Sequence, residues 1–149
     1  ENVGAAGSGR RFTGEEKKLM SETQRILNDD QVQVVATAVR VPVFIGHALS
    51  VAIETDDVLE VDDAAQALAD HPGVLVTDRN DAMAVPTQAD IAGEDFTLVG
   101  RLRADPTRAE GLLYWVVSDN LRKGAALNAV QIAEALLDRG LLPRAEKGE

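Results

Sequence analysis

The apolar positions of the chain follow two spacings, one helical and one that alternates along the chain. A first helix is predicted from Thr13 to about Leu27, because Thr13 and Glu16 have the spacing of a capping box and helical periodicity follows. Its apolar face consists of Leu19, Met20, Thr23, Ile26 and Leu27.

Two more helices are predicted further along the chain. The stretch 61–73 is short and has Asp62 or Asp63 near its N-terminal cap. The last helix covers 120–140 and is closed by Gly140. A stripe of this helix that is expected to face the core consists of Ala126, Val130, Ile132, Ala133 and Leu136.

Five stretches rich in β-branched or alternating apolar residues predict strands. They lie at 31–43, 47–55, 74–78, 96–105 and 111–119. Neighbouring strands within 32–54 and within 96–118 suggest antiparallel pairs, so the predicted fold class is α+β, with helices covering a mixed, largely antiparallel sheet. No glycine-rich phosphate fingerprint follows an opening strand, so the chain shows no dinucleotide-binding half.

Composition narrows the possible functions. A length of 149 residues suits one domain, and a net charge of −10 argues against nucleic-acid binding, which needs a basic face. Small molecules or protein surfaces remain as partners. The chain has no cysteine, and its two histidines make a metal site implausible, so no metal ligand is assigned. His71, which precedes Pro72 at a predicted helix end, is expected at the surface.

Targeting signals are not evident. No apolar stretch approaches the roughly 18 residues of a membrane-spanning helix, and the first residues lack the apolar region of a signal peptide. A cytoplasmic location without membrane contact is the resulting expectation.

Arg40 and His47 stand out in an otherwise apolar run, "RVPVFIGHALSV". On one straight strand, residues seven apart would be separated by about 23 Å. Pro42 and Gly46 lie between them, however, and a turn there would bring both towards one pocket. Arginine binds a carboxylate in bidentate fashion and histidine transfers protons near neutral pH. The alternative is structural, with Arg40 paired to an acid and His47 capping a turn.

Two other groups have both a functional and a structural interpretation. Glu15 and Lys18 share one helix face and are compatible with a simple solvated ion pair. At 118–120 a strand becomes a helix, and free backbone N–H groups there are suited to an anion or a carboxamide. The small residues at 124–126 are equally compatible with close helix packing.

Taken together, four stretches resemble the C-terminal half of aspartate-semialdehyde dehydrogenase. They are "FTGEEKKLMSETQRIL", "VQVVATAVRVPVFIGHALSV", "LVGRLRADPT" and "LLYWVVSDNLRKGAALNAVQIAE", in the order of the family. The resemblance implies a fold like the C-terminal domain of glyceraldehyde-3-phosphate dehydrogenase. It also implies the reduction of β-aspartyl phosphate by NADPH to aspartate semialdehyde and phosphate, in lysine, methionine and threonine biosynthesis.

The resemblance also implies roles for single residues. His47 is similar to the catalytic acid/base, and Arg40 to the residue that binds the substrate carboxylate. Glu15 corresponds to the partner of the substrate ammonium, Lys18 to the phosphate contact, and Asn120 to a cofactor contact near the nicotinamide. This set is chemically coherent, because the substrate carries a carboxylate, an ammonium and a phosphate.

One departure from the family limits what the chain does by itself. The family attacks its substrate with a cysteine, and this chain has none. The expectation is therefore a C-terminal piece, inactive alone, with a linker at 1–11, an incomplete catalytic and dimerisation domain at 12–140 and a tail at 141–149. Its implied partners are the N-terminal half of the same enzyme and a second subunit, bound through a sheet face.

Two alternatives stay open at this point. The sibling N-acetyl-glutamyl-phosphate reductase has similar chemistry, although its acylated substrate has no ammonium for Glu15 to bind. A non-catalytic dimerisation module agrees with the absent cysteine, but gives no reason to keep Glu15, Lys18, Arg40 and His47 together.

Overall fold

The computed structural model describes residues 12–78, 81 and 84–141. The predicted linker at 1–11 lies outside the described residues, and so does the predicted tail at 141–149 apart from its first residue. No helix within the described part of the chain is long and apolar enough to cross a membrane.

The chain divides into two compact units, and the first, Glu1–Pro42, contains the first predicted helix, α1, at Gly14–Leu27. The predicted capping box is present. Thr13 Oγ1 accepts the Glu16 N–H at 3.3 Å, and the Glu16 carboxylate accepts the Thr13 N–H at 2.7 Å. Asn28 ends the helix in the left-handed region, at φ 52°.

The prediction of a strand at 31–43 is wrong for this structure, since residues 28–46 form neither helix nor strand. The alternation that suggested it is nevertheless visible in the burial of the side chains. Val32, Val34, Ala36 and Ala38 are half-buried, and the residues between them are exposed. Period-two spacing decides which side chains share a face, but a ladder also needs a hydrogen-bonded neighbour. This segment has no strand neighbour among the described residues of its own unit.

The second unit, Val43–Glu149, is built on a sheet of four strands. The strands are β1 (His47–Glu54), β2 (Val74–Val76), β3 (Thr97–Ala104) and β4 (Gly111–Ser118). Their order across the sheet is β1-β4-β3-β2. The pairs β1·β4 and β3·β4 are antiparallel and β2·β3 is parallel. The α+β prediction with a mixed, largely antiparallel sheet is confirmed.

Helix α2, Val61–Ala69, packs against this sheet. Ala64 of the helix forms a small core with Leu102 of β3 and Leu112 of β4. The prediction of Asp62 and Asp63 near the cap is confirmed, because Glu60 is the N-cap, its carbonyl accepts the Ala64 N–H at 3.0 Å, and both aspartates lie in the first turn. Carboxylates in the first turn are still favourable for the helix dipole.

The last predicted helix consists of two parts. A π-helical turn at Arg122–Ala126 leads into α3, Leu127–Asp138, and Gly140 follows with φ 68°. Its predicted core-facing stripe is wrong for this structure. Val130 and Ile132 are 55% and 54% exposed, and Ala126 and Ala133 are exposed as well, while Leu136 is half-buried. Helical spacing identifies an apolar face but does not say what covers it.

Candidate functional site

The end of the sheet at which β1 begins and β4 ends brings distant parts of the sequence together. His47, the first residue of β1, pairs with Ser118, the last residue of β4. Ser118 also pairs with Thr97 at the start of β3, and the Thr97 hydroxyl donates to the Ser118 hydroxyl at 3.1 Å. His47 therefore lies beside the loop that leads into the π-helical turn, although about 70 residues separate the two in the sequence.

Gly46 fixes the start of β1 next to His47. Its φ of 91° lies in the left-handed region that favours glycine. A Cβ at this position would come within 2.8 Å of the Ile91 Cδ1 and 3.2 Å of the Gln88 Cβ. The Gly46 N–H donates to the Asn120 Oδ1 at 3.2 Å. The residue before His47 is thus held by its conformation, by close packing and by a hydrogen bond.

Asp119 fixes the other side of this site. It is only 3% exposed, and its carboxylate accepts three backbone N–H groups, from Gly93 at 2.9 Å, Leu121 at 2.9 Å and Arg122 at 3.3 Å. The Gly93 N–H foremost, and then the N–H groups of Leu121 and Arg122, lower the pKa of Asp119 below its ordinary value despite burial. The N–H groups of Leu121 and Arg122 at this turn are therefore not free, because the Asp119 carboxylate accepts them.

The loop that precedes β3 is joined to the π-helical turn by an ion pair. Arg122 Nε donates to the Asp95 Oδ1 at 2.6 Å, and both side chains are exposed. Together with the bond from Gly93 to Asp119, this contact ties the loop to the strand-to-helix turn. π-helical turns are uncommon and are often found at functional sites, which agrees with the candidate role of this turn.

His47 and Asn120 retain groups that are available for chemistry. The His47 side chain is exposed, and within its unit the ring makes no hydrogen bond to a described residue. The predicted alternative, in which His47 caps a turn, is therefore not observed there. Asn120 is half-buried, and its Oδ1 is used by Gly46. Its Nδ2 donates to no other described residue of the unit.

Glu15, Lys18 and Arg40, the three predicted substrate-binding residues, belong to the first unit. All three side chains are exposed, and none forms an ion pair with a described residue of its unit. The simple ion pair between Glu15 and Lys18 is thus absent, and none of the described residues of this unit is a structural acid paired with Arg40.

Glu16, next to Glu15, has a role that the sequence did not reveal. It is only 7% exposed, and its Oε1 accepts the Ala38 N–H at 2.9 Å in addition to the capping bond from Thr13. The capping box was visible in the sequence, but the contact with Ala38 was not. Gly46 and Asp119 were missed in the same way, since the signals "GH" and "SDN" do not say which backbone groups they bind.

The described residues contain no group of three or more histidine, cysteine, aspartate or glutamate side chains that suits a metal ion. His71 is exposed, as predicted, and its Nδ1 lies 3.0 Å from the Pro72 carbonyl oxygen. The Asn120 amide keeps donor hydrogens for a ligand, because its Oδ1 is the atom that accepts the Gly46 N–H.

The chain matches the family model described as "Semialdehyde dehydrogenase, dimerisation domain" over residues 4–123. It belongs to this family of dehydrogenase dimerisation domains.

Curated relatives with similar sequences are aspartate-semialdehyde dehydrogenases. The protein of Aquifex aeolicus is 45% identical over 88% of this chain and 38% of its own length. The Legionella pneumophila protein is 48% identical over 88% of this chain and 38% of its own length. The chain thus spans less than two fifths of these curated relatives.

Solved structures give the same result. Aspartate semialdehyde dehydrogenase II from Vibrio cholerae, in a structure described as complexed with ASA, superposes with a TM-score of 0.85 at 41% identity. That match covers 92% of this chain and 40% of the other. A probable aspartate-semialdehyde dehydrogenase from Pseudomonas aeruginosa has a TM-score of 0.81 at 33% identity, over 91% of this chain and 40% of the other.

Proposed function

We propose that this chain is the C-terminal portion of an NADP-dependent aspartate-semialdehyde dehydrogenase, which converts β-aspartyl phosphate into aspartate semialdehyde and phosphate. The observation that carries the proposal is the hydrogen bond between Gly46 and Asn120. It joins "RVPVFIGH" to "SDNLRKGAALN", the two stretches on which the family resemblance is most specific. A dimerisation module without chemistry has no need for an exposed histidine beside this junction.

His47 is the proposed acid/base. The sheet register fixes the backbone of His47 through Ser118, and the preceding residue, Gly46, is held by its hydrogen bond to Asn120. Its ring remains exposed, so a ring nitrogen is available to give a proton to the reacting oxygen or to accept one from it. A rigid backbone under an accessible ring is what proton transfer at one fixed position requires.

Arg40, Glu15 and Lys18 are the proposed substrate-binding residues. The guanidinium of Arg40 binds the substrate carboxylate, Glu15 binds the ammonium, and Lys18 contacts the phosphate. The three side chains are exposed and form no ion pair with a described residue of their own unit. Their charges are complementary to those of the substrate.

Asn120 is the proposed cofactor contact. Its Oδ1 is engaged by Gly46, which leaves the two Nδ2 hydrogens to donate to a carbonyl oxygen such as that of a nicotinamide carboxamide. The residue therefore fits the cofactor that the family implies. When bound, the cofactor supplies the hydride that reduces the acyl group to the aldehyde.

The chain by itself should be inactive, because it has no cysteine to attack the acyl phosphate. We propose that the nucleophile and the nucleotide-binding half belong to other parts of the same enzyme. The exposed apolar face of α3, with Val130 and Ile132, supports this proposal, because such a face is usually covered in a complete protein. The dimerisation domain of the family supports a homodimer as the active form.

The test begins with the coding sequence upstream of Glu1, which should encode a glycine-rich strand-turn-helix unit and then a cysteine. The full-length protein from that reading frame should oxidise aspartate semialdehyde in the presence of phosphate and NADP, with formation of NADPH. Residues 1–149 alone, as the matched control, should show no turnover under the same conditions.

Other outcomes would support the alternatives. Turnover of N-acetyl-glutamate semialdehyde in place of aspartate semialdehyde would identify the sibling reductase. A full-length protein without a cysteine, without turnover and with a stable dimer in solution would identify a non-catalytic dimerisation module.

A further inference from the structure

We propose that Glu16 is a positioning residue that holds the substrate-binding residues of this chain in place. The inference rests on the proposed function, because it concerns the same substrate site. Glu16 itself points away from solvent, in contrast to its neighbour Glu15, which is exposed. It therefore does not compete with Glu15 for the substrate.

Both oxygens of the Glu16 carboxylate are engaged by backbone N–H groups. Oε2 accepts from Thr13 at 2.7 Å, which closes the capping box, and Oε1 accepts from Ala38 at 2.9 Å. A capping box needs only the first of these bonds. The second bond spans 22 residues and connects the start of α1 to the segment that leads to Arg40.

Side chains of α1 hold this segment, which forms no strand ladder with the described residues of its unit. A second contact of the same kind is formed by Gln24 on α1, whose Nε2 donates to the Val32 carbonyl at 2.8 Å. Glu16, near the N-terminal end of α1, binds Ala38, near the end of the segment. Gln24, further along α1, binds Val32, near the start of the segment. The segment therefore runs antiparallel to α1, and its end at Ala38 lies at the N-terminal end of the helix.

The hydrogen bond at Ala38 restricts the position of the Arg40 backbone. Two residues of extended chain span at most about 7 Å, so Arg40 cannot lie far from the point that Glu16 holds. Glu15 flanks Glu16 in the sequence, and Lys18 lies on the same helical turn. The buried carboxylate of Glu16 thus sets the relative positions of the three substrate-binding residues. These are a cation for the substrate carboxylate, an anion for its ammonium and a cation for its phosphate.

The charge of Glu16 is part of this role. Two N–H groups point at its two oxygens, and the N–H groups of Thr13 and then Ala38 lower the pKa of Glu16 below its ordinary value. A glutamine at this position has the same shape but replaces one oxygen with an NH₂ group, which cannot accept a hydrogen bond. Glu16→Gln therefore removes one bond with little change in volume.

The experiment measures steady-state kinetics of the full-length protein with Glu16→Gln. The KM for aspartate semialdehyde should rise about tenfold or more, because the substrate-binding residues lose their relative position. The KM for NADP and the kcat should stay within about twofold of the wild type. Ala38→Pro removes the same hydrogen bond from the donor side and should give the same separation of the two KM values. Combining both variants should add little.

The control is Glu22→Gln, which removes the same charge from an exposed position of α1 and should leave both KM values unchanged. Hydrogen exchange gives a second readout, since the Ala38 amide should exchange faster in Glu16→Gln than in the wild type. A wild type without dehydrogenase activity would refute the proposed function, and the role of Glu16 in substrate binding with it. An active wild type refutes the role of Glu16 alone if Glu16→Gln leaves the KM for aspartate semialdehyde unchanged, or if both KM values and kcat deteriorate together.

Discussion

The two compact units hold their candidate functional residues by different means. In the unit Val43–Glu149, His47 begins a strand that is paired with β4 from His47 to Glu54. In the unit Glu1–Pro42, Arg40 lies in a segment without strand or helix, and side chains of α1 hold that segment at Val32 and Ala38. In the second unit, many ladder hydrogen bonds together hold the backbone of β1 in position. In the first unit, a few side-chain hydrogen bonds hold the segment that contains Arg40.

This difference has consequences for sensitivity to change. A strand position within a ladder tolerates the loss of one bond, since neighbouring pairs keep the register. A segment that is held by two side-chain contacts loses a large share of its restraints when either contact is removed. Substitutions in the first unit should therefore act mainly on substrate binding, and substitutions around His47 mainly on turnover or on folding.

The largest effect is expected for His47→Ala in the full-length enzyme. Loss of a general acid/base lowers kcat by about 10²- to 10⁴-fold, whereas KM should change little because the sheet still holds the backbone. Steady-state kinetics provide the measurement, with the exposed His71→Ala as the control that should retain wild-type rates. An equal, small decrease in kcat for both variants would contradict the assignment of His47.

Arg40→Ala should have the next largest effect, and of the opposite kind. Loss of a charge-assisted contact with the substrate carboxylate should raise the KM for aspartate semialdehyde by roughly ten- to a hundredfold and leave kcat nearly unchanged. Arg40→Lys should recover part of the affinity, because lysine keeps the charge without the bidentate geometry. If Arg40→Ala instead lowered kcat as strongly as His47→Ala, the contrast between the two units would not hold.

Gly46→Ala tests the packing beneath His47. The new Cβ would approach the Ile91 Cδ1 to 2.8 Å and would also occupy a left-handed backbone conformation. Overpacking of this kind lowers the free energy of unfolding by about 1–3 kcal/mol, which is measurable by denaturant titration.

Gly93→Ala is the matched control for Gly46→Ala. Gly93 has a similar φ of 86°, but a Cβ there would meet nothing within 4 Å. Gly93→Ala should lower the free energy of unfolding by only about 1 kcal/mol, because alanine is disfavoured in the left-handed backbone conformation. Equal losses in both variants would mean that the contact with Ile91 contributes nothing beyond the backbone conformation.

The smallest effect is a dependence of stability on pH. The pKa of Asp119 is lowered in the folded state, chiefly by the Gly93 N–H, so the folded protein binds this proton less readily than the unfolded chain. Its contribution is complete above the ordinary aspartate pKa of about 3.9 and is lost as the pH falls through the folded-state value. The stability advantage of the wild type over Asp119→Asn should therefore shrink below about pH 4.

Urea unfolding at several pH values checks this prediction. Asp57→Asn, at an exposed position, is the control and should show no such loss of advantage. A constant difference between the wild type and Asp119→Asn from neutral to acid pH would show that the charge of Asp119 does not stabilise the site.

Several elements could be predicted because their signals are local. The capping box of Thr13 and Glu16 is a contact over three residues, and the alternation at 47–55 and 96–119 reflects strands whose neighbours lie within the same chain. The start of α2 at Val61 was predicted as well, with its two aspartates in the first turn.

The α+β class, the approximate positions of the helices, the strands at 47–55, 74–78, 96–105 and 111–119, and the family resemblance could be predicted from the sequence, because each depends on short-range periodicity or on motifs. Only the tertiary structure showed that Gly46 binds Asn120, that Glu16 binds Ala38, and that the valine-rich segment forms no ladder with the described residues of its unit. The physical reason is that the spacing of apolar residues identifies which side chains share a face of a helix or strand. The residues that bind a buried polar group or pack on an apolar face lie far away in the sequence, so this spacing does not identify them.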